Sequence, residues 1–438
     1  RVETLLAARL DQLGSTAAVP DLDRMIDTDD DGRVNANDNC VLDPDPQPQD
    51  VVCDVSSESL VALETRRNPL LWWAADFDQN GDGEILTVQV TATGAALRYI
   101  DEGANGEFEL GDRQGIAVQQ GEDVESPTLL DFDDDGDLDI LAVLTGREDP
   151  SDIGALAFVN DGSGQFSMTL LGVPSRTWPD GINLEQIDEF TMIDVSGDGM
   201  RDIILRQGPR LGVLLAESGD TWSGITELDL GNTSFESLSG MMTTDIDGDG
   251  DADVVIGATT RTTDVIDAGV VALINDNDGE PALMGPYLGL DEGVAVSQML
   301  HPGDFNADGH ADVLISSTRF PCEGTCIGIA YGDGNGAFPT TEQLALRASP
   351  SDVDTGDFNA DGVADVVLAG NQTELLMGAS AGFETDLAVD LATFTRPVTS
   401  RVVDLDGDGL SDIVTIEDPG GDAPFELRAW YFEGPGSP

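Results

Sequence analysis

The sequence predicts an all-β chain assembled from a repeated unit of about four short strands. Three observations carry that expectation. An acidic nine-residue turn recurs seven times, starting at Asp76, Asp131, Asp194, Asp245, Asp304, Asp357 and Asp404, at spacings of 55, 63, 51, 59, 53 and 47 residues. Short apolar segments lead into and out of each turn, as in Leu70–Ala75 or Phe190–Ile193 before it and Ile140–Leu144 after it. A third segment such as Ala155–Val159 follows, closed by a turn rich in Gly, Asn and Asp, as in Asn160–Phe166 and Gly332–Phe338. Those residues supply the positive φ angles that tight hairpins need.

Each acidic turn has the donor pattern of a Ca²⁺ loop. Ca²⁺ takes six to eight oxygens at roughly 2.3–2.6 Å. Side chains at loop positions 1, 3, 5 and 9 and the carbonyl of position 7 can meet that demand, with glycine at position 6 turning the chain. The candidate ligands are Asp76, Asp78, Asn80 and Glu84 in loop 1 and Asp131, Asp133, Asp135 and Asp139 in loop 2. Loop 3 offers Asp194, Ser196, Asp198 and Asp202, and loop 4 offers Asp245, Asp247, Asp249 and Asp253. Loop 5 offers Asp304, Asn306, Asp308 and Asp312, loop 6 Asp357, Asn359, Asp361 and Asp365, and loop 7 Asp404, Asp406, Asp408 and Asp412. An aliphatic residue follows position 9 every time, from Ile85 to Ile413. One acidic turn could be a solvated surface feature. Seven in register are a repeat array, and four strands per unit of roughly 50 residues is the sequence form of a propeller blade.

Composition narrows the partners. The formal net charge is −66, and all 19 basic residues are Arg. The loops account for 24 of these acids, and seven divalent ions would still leave the chain at about −52. Nucleic acid and anionic membranes are poor partners for such a field. No apolar run of about 18 residues is present, so no membrane span is expected. The sequence opens at Arg1-Val-Glu-Thr without a signal-peptide pattern, and a mature, exported form with any such peptide removed is expected.

Four cysteines fall in two close pairs, Cys40 with Cys53 and Cys322 with Cys326. An even count at short spacing in an acidic, calcium-type chain reads as two local disulfides. A zinc site is the rival, but the spacings make no matched knuckle and His301 and His310 are the only histidines.

Residues 1–57 read as an appendage. Leu5, Leu6, Leu10 and Leu13 give residues 2–13 a helical stripe ended by Gly14, which could dock on the body, a partner or another copy. A loop of a different kind follows, with Asp27, Asp29, Asp31, Asn35 and, at position 12, Asp38. With Asp-Asn-Cys40 and the Pro- and Asp-rich run to Cys53 it resembles a single shortened thrombospondin type 3 repeat, which implies one or more further Ca²⁺ held on a disulfide-pinned loop. A flexible Pro-rich linker is the plain alternative.

Residues 58–438 resemble FG-GAP/VCBS-type repeats, the calcium-loop repeats of integrin α-subunit heads and many bacterial surface proteins, through the seven acidic loops and the Gly-x-Gly-x-Phe turns. That resemblance implies a seven-bladed β-propeller with one Ca²⁺ loop per blade, between its first and second strands. Glu84 and Ser196 depart from the pattern. The last unit runs out at Pro438 after three strands, and Ser59–Glu64 precedes the first unit without one of its own. That segment is therefore expected to add the outer strand of the last unit.

Catalytic constellations are absent. There is no Gly-x-Ser-x-Gly, P-loop or His-Glu-x-x-His, and both histidines read as structural or exposed. Of the five tryptophans, Trp72, Trp73, Trp178, Trp222 and Trp430, packing is expected for each, with a sugar platform as the alternative for Trp72 or Trp73. Asn232 and Asn371 head glycosylation sequons. Residues 174–190, 256–270 and 317–327 read as protruding insertions, where recognition is commonly placed. The function expected is that of an extracellular calcium-binding module for adhesion, ligand binding or surface assembly, not an enzyme, with a protein or glycan partner at the cell surface. A carbohydrate-active enzyme or lectin on the same scaffold is the alternative, and a filament subunit jointed by the N-terminal helix is another.

Overall fold

The computed structural model describes residues 54–62 and most of 70–433. Residues 1–53, 63–69 and 434–438 lie outside the described residues, as do 146–153, 172–177, 182–186, 284–298, 317–326, 391–396 and some shorter loop segments. The expected N-terminal helix, the Asp27–Asp38 loop, both cysteine pairs and both sequons fall outside them.

All described regular structure is β, and every pairing is antiparallel. Among the described residues, seven sheets of four or more strands follow one another along the chain, and each begins with a strand that runs directly into an acidic loop. Sheet 1 holds Leu70–Ala75, Glu84–Thr91, Gly94–Glu102 and Phe108–Leu110, in that order, with Gln114–Ile116 beside the third. Sheets 2 to 6 start at Asp123–Leu130, Glu189–Ile193, Phe235–Thr244, Met299–Gly303 and Asp352–Gly356 and repeat the meander. Sheet 7 starts at Pro397–Val403 and continues through Asp412–Glu417 and Glu426–Glu433. Its fourth strand is Asp54–Ala62, paired antiparallel with Glu426–Glu433 from Asp54 opposite Glu433 to Ala62 opposite Glu426. The outer strand expected from Ser59–Glu64 is thus in place, beginning at Asp54, ahead of the boundary drawn at residue 58.

The second strands are apolar on both faces because both faces are covered. Side chains alternate across a strand. In Asp253–Arg261, Val254, Ile256 and Ala258 pack with residues of sheet 3, while Val255 packs with sheet 5. Asp365–Ala369 is buried at all five positions. The same alternation produces seven core clusters, each shared by two sheets. They join sheets 1 and 2, 2 and 3, 3 and 4, 4 and 5, 5 and 6, and 6 and 7. The remaining cluster joins Trp72, Ile85 and Ile100 of sheet 1 to Leu405, Val414, Ile416 and Leu427 of sheet 7.

The first strand of each sheet has an open edge, and carboxylates from the preceding sheet satisfy several of its N–H groups. Met241 N–H donates to Glu189, Ser400 N–H to Asp352 and Val402 N–H to Asp354, at 2.9–3.0 Å. Capping of this kind blocks a bare edge from pairing with another chain. The stretch 256–270 is not the protruding insertion expected. It is mostly strand, the paired ends of Asp253–Arg261 and Ile266–Ile274, because Val, Ile, Ala and Thr continue the sheet pattern past the usual strand length. All five tryptophans are buried, which removes Trp72 and Trp73 as exposed sugar platforms.

Candidate metal centres

The seven loops share one construction. Position 2 is apolar and, in six of the loops, fully buried, from Phe77 to Leu405; it plugs the loop into the core while positions 1, 3 and 5 face outward. The position-6 glycines all have positive φ, from 81° at Gly362 to 100° at Gly81, a region closed to side chains without strain. That conformation aims the glycine N–H at the position-1 carboxylate, 2.7–3.1 Å away in every loop. The position-5 oxygen accepts from the position-7 N–H at 2.8–3.2 Å, again in every loop.

Position 9 is the anchor. Glu84, Asp139, Asp202, Asp253, Asp312, Asp365 and Asp412 are all 0 % exposed. Each accepts the N–H of position 2 at 2.6–2.9 Å. In six loops the second carboxylate oxygen accepts a further N–H, from Asn160, Ala216, Asn275, Gly332, Gly378 or Phe432, at or just past the end of the third strand. Loop and sheet are therefore tied by one buried ionisable group. Despite these donors, burial pushes Asp139, Asp253 and Asp312 up to about 6, Asp365 to about 7 and Asp412 to about 8, and nearby loop carboxylates push the same way. An opposite charge at the loop centre reverses that cost.

The oxygens converge where a cation would need them. Positions 1, 3 and 9 bring ligand atoms within 4.8 Å of one another in loops 1, 2, 4 and 7, as Asp76–Asp78–Glu84, Asp131–Asp133–Asp139, Asp245–Asp247–Asp253 and Asp404–Asp406–Asp412. Loops 3, 5 and 6 have Ser196, Asn306 and Asn359 at position 3, so one donor there is neutral. In loops 5 and 6 that Asn donates its amide to Asp308 and Asp361 at 3.1 Å. Asp131 Oδ1 is shut off from water with no hydrogen-bond partner among the described residues. Hard oxygen donors in this number fit Ca²⁺ or another hard divalent cation.

Neighbouring loops touch through their backbones. Ala364 N–H of loop 6 donates to Asp304 O of loop 5, and Ser411 N–H of loop 7 to Asp357 O of loop 6, at 2.8 and 3.0 Å. Asn160 and Asn275 reach back with their side-chain amides to Phe77 O and Asp194 O, at 2.7 and 2.8 Å. Gly83 of loop 1 lies against Asp404 O of loop 7, where a Cβ would come within 2.8 Å of that oxygen. These contacts were not foreseen. The visible signal was the Asn-Asp pair at the end of the third strand of sheets 2 and 4.

His301 is neither free nor a loop ligand. Its Nδ1 lies 3.6 Å from Asp354 Oδ1, and burial, the largest effect, pulls its pKa down. Asp352 and Arg401 complete that inter-sheet network, with the Arg401 guanidinium 5.3 Å above the Trp72 ring. His310, at position 7 of loop 5, is exposed.

Position 9 should matter even without metal. With divalent cations removed, Asp312→Ala strands the buried N–H groups of Phe305 and Gly332, an expected loss of about 2–4 kcal/mol in a denaturant titration. Asp308→Ala, at an exposed ligand position, should cost under about 1 kcal/mol in the same chelator. Equal losses would show that position 9 is no structural anchor.

Comparison with known proteins places these loops in context. The FG-GAP-like repeat family matches residues 245–315, the span from loop 4 through the strand that follows loop 5. No curated protein matches the chain. Among solved structures, a lectin from Agrocybe aegerita that recognises non-reducing terminal N-acetylglucosamine aligns over 74% of this chain and 81% of its own, at 17% identity and a TM-score of 0.47. The rhamnogalacturonan lyase YesW aligns over 87% of this chain and 76% of its own, at 13% identity and a TM-score of 0.42. The described residues contain no helix long and apolar enough to cross a membrane.

Proposed function

We propose that the chain is a calcium-stiffened, seven-bladed β-propeller that acts outside the cell as a non-enzymatic binding module for a protein or glycan partner. Residues 1–53, ahead of the strand that completes the last sheet, are a thrombospondin type 3-like appendage in this reading. The observation that carries it is the sevenfold repetition of one loop, with a fully buried carboxylate at position 9 in every copy. The blade count is supported by seven meandering sheets, by the core shared between sheets 7 and 1, and by the strand Asp54–Ala62 completing the last sheet. An extracellular setting is supported by the ligand chemistry, since loops of exposed oxygens suit the high calcium found outside cells. In this reading the loop carboxylates serve the cation and the cation serves the scaffold.

The test is binding. Purified protein is applied to an array of glycans and extracellular matrix proteins in 1 mM-scale Ca²⁺ and again in chelator. Saturable binding to a defined partner that disappears with chelation is expected. Turnover of a polysaccharide substrate, or no saturable binding to any partner, would overturn the reading.

A further inference from the structure

Loop 2 contains a carboxylate that the one-ion scheme leaves unused. At position 7 only the main-chain carbonyl is directed to the ion, and four loops place Met200, His310, Val363 or Leu410 there. Loop 2 places Asp137. Its side chain is 4 % exposed, so it is not a solvated surface acid. Its Oδ1 is buried with no hydrogen-bond partner among the described residues. The Asp135 carboxylate sits beside it, its Oδ1 accepting the Asp137 N–H at 3.2 Å. On the other side the Asn160–Phe166 turn closes the space, since a Cβ on Gly162 would stand 2.9 Å from Asp137 Oδ2. An exposed carboxylate, Asp135, thus stands beside a buried one, Asp137, whose Oδ1 nothing among the described residues satisfies. A buried, unpaired carboxylate is among the most costly groups a fold can hold. One divalent ion shared by Asp131, Asp133, Asp135 and Asp139 does not balance even those four charges, so it has nothing left for Asp137. Position 7 of loop 1 repeats the pattern, for Asp82 Oδ1 is also buried without a partner among the described residues.

We propose that loop 2 is a two-cation site, in which a second hard divalent cation, Ca²⁺, binds between Asp135 and Asp137, with Asp135 bridging the two ions. This rests on the reading that the loops bind cations at all, and it adds to that reading a site that the nine-residue pattern does not contain. The two oxygens of Asp135 can divide between the ions, as carboxylates do in bridged sites, and water completes the shell.

Asp137→Asn keeps the size of the side chain and the position-7 carbonyl but removes the charge. The full chain and this variant are compared by native mass measurement at equal free Ca²⁺, counting bound ions. The variant is expected to hold one ion fewer. An unchanged count overturns the second site while leaving the seven-loop reading intact; a wild-type chain that binds no ions overturns both. Thermal melting guards against a variant that merely misfolds. In chelator, Asp137→Asn should melt at or above the wild-type temperature, and its rise on adding Ca²⁺ should be smaller. A variant that melts lower in chelator and gains the full calcium-induced rise would show that Asp137 is a structural residue and overturn the proposal.

Discussion

Removing divalent cations is expected to lower the thermal midpoint by about 20 °C or more, with Mg²⁺ restoring only part of the loss. Each loop concentrates three or four carboxyl or amide oxygens on one centre, and position 9 is fully buried in all seven. Burial and mutual repulsion raise the carboxyl pKa values from Asp139 to Asp412, so the cation-free fold carries a built-in electrostatic cost. A cation that binds the folded loop and not the open chain contributes about 2.7 kcal/mol per site at a hundredfold excess over its dissociation constant. Seven equal sites give about 19 kcal/mol, more than a typical domain's whole stability. Differential scanning calorimetry across a calcium titration reads the effect directly. A midpoint that stays within about 2 °C between chelator and calcium would remove the cation from the scaffold.

The strands flanking the loops were legible in the sequence because their local signals agree. In sheet 3, alternating apolar residues, a glycine fixed at position 6 and an acid at position 9 all require the same turn between Phe190–Ile193 and the strand opening at Asp202. The outer strand from Ser59–Glu64 was legible for another reason: the last unit lacked a strand and the first had one spare, a matter of arithmetic along the chain. The inter-sheet network was not legible. Glu189, Asp352 and Asp354 look like ordinary strand acids, and only the packing of sheets sets them beside open N–H groups of the next first strand. His301 was hidden for the same reason, since its partner Asp354 lies on a different sheet. Residues 256–270 misled because Gly and Thr there resemble loop composition, while pairing from Asp253 to Arg261 keeps them extended. Long-range placement, not local propensity, decided each of these cases.

Deleting residues 54–62 is expected to lower the midpoint by about 10 °C and to promote self-association, whereas deleting residues 1–20 should leave it unchanged within about 1 °C. The deleted strand pairs with Glu426–Glu433 over most of its length, from Asp54 opposite Glu433 to Ala62 opposite Glu426. Its loss strips the backbone partners from one edge of sheet 7 and offers Glu426–Glu433 as a bare edge. Sheet 7 is also the sheet whose core is shared with sheet 1 through Trp72, Ile85, Ile100, Val414 and Leu427. Loosening it therefore weakens the contact between the two ends of the described chain, a contact of high sequence separation that local structure cannot replace. Two additions separate this role from a general effect of shortening. A synthetic peptide of residues 54–62, supplied in excess, should rebind the vacant edge and recover part of the midpoint, as an added strand does in β-augmentation. A variant carrying the same nine residues on a flexible linker after Pro438 should recover nearly all of it, because the strand then pairs within one molecule. If the two truncations melt alike, or neither addition restores stability, the pairing of Asp54–Ala62 with the last sheet contributes nothing to the fold.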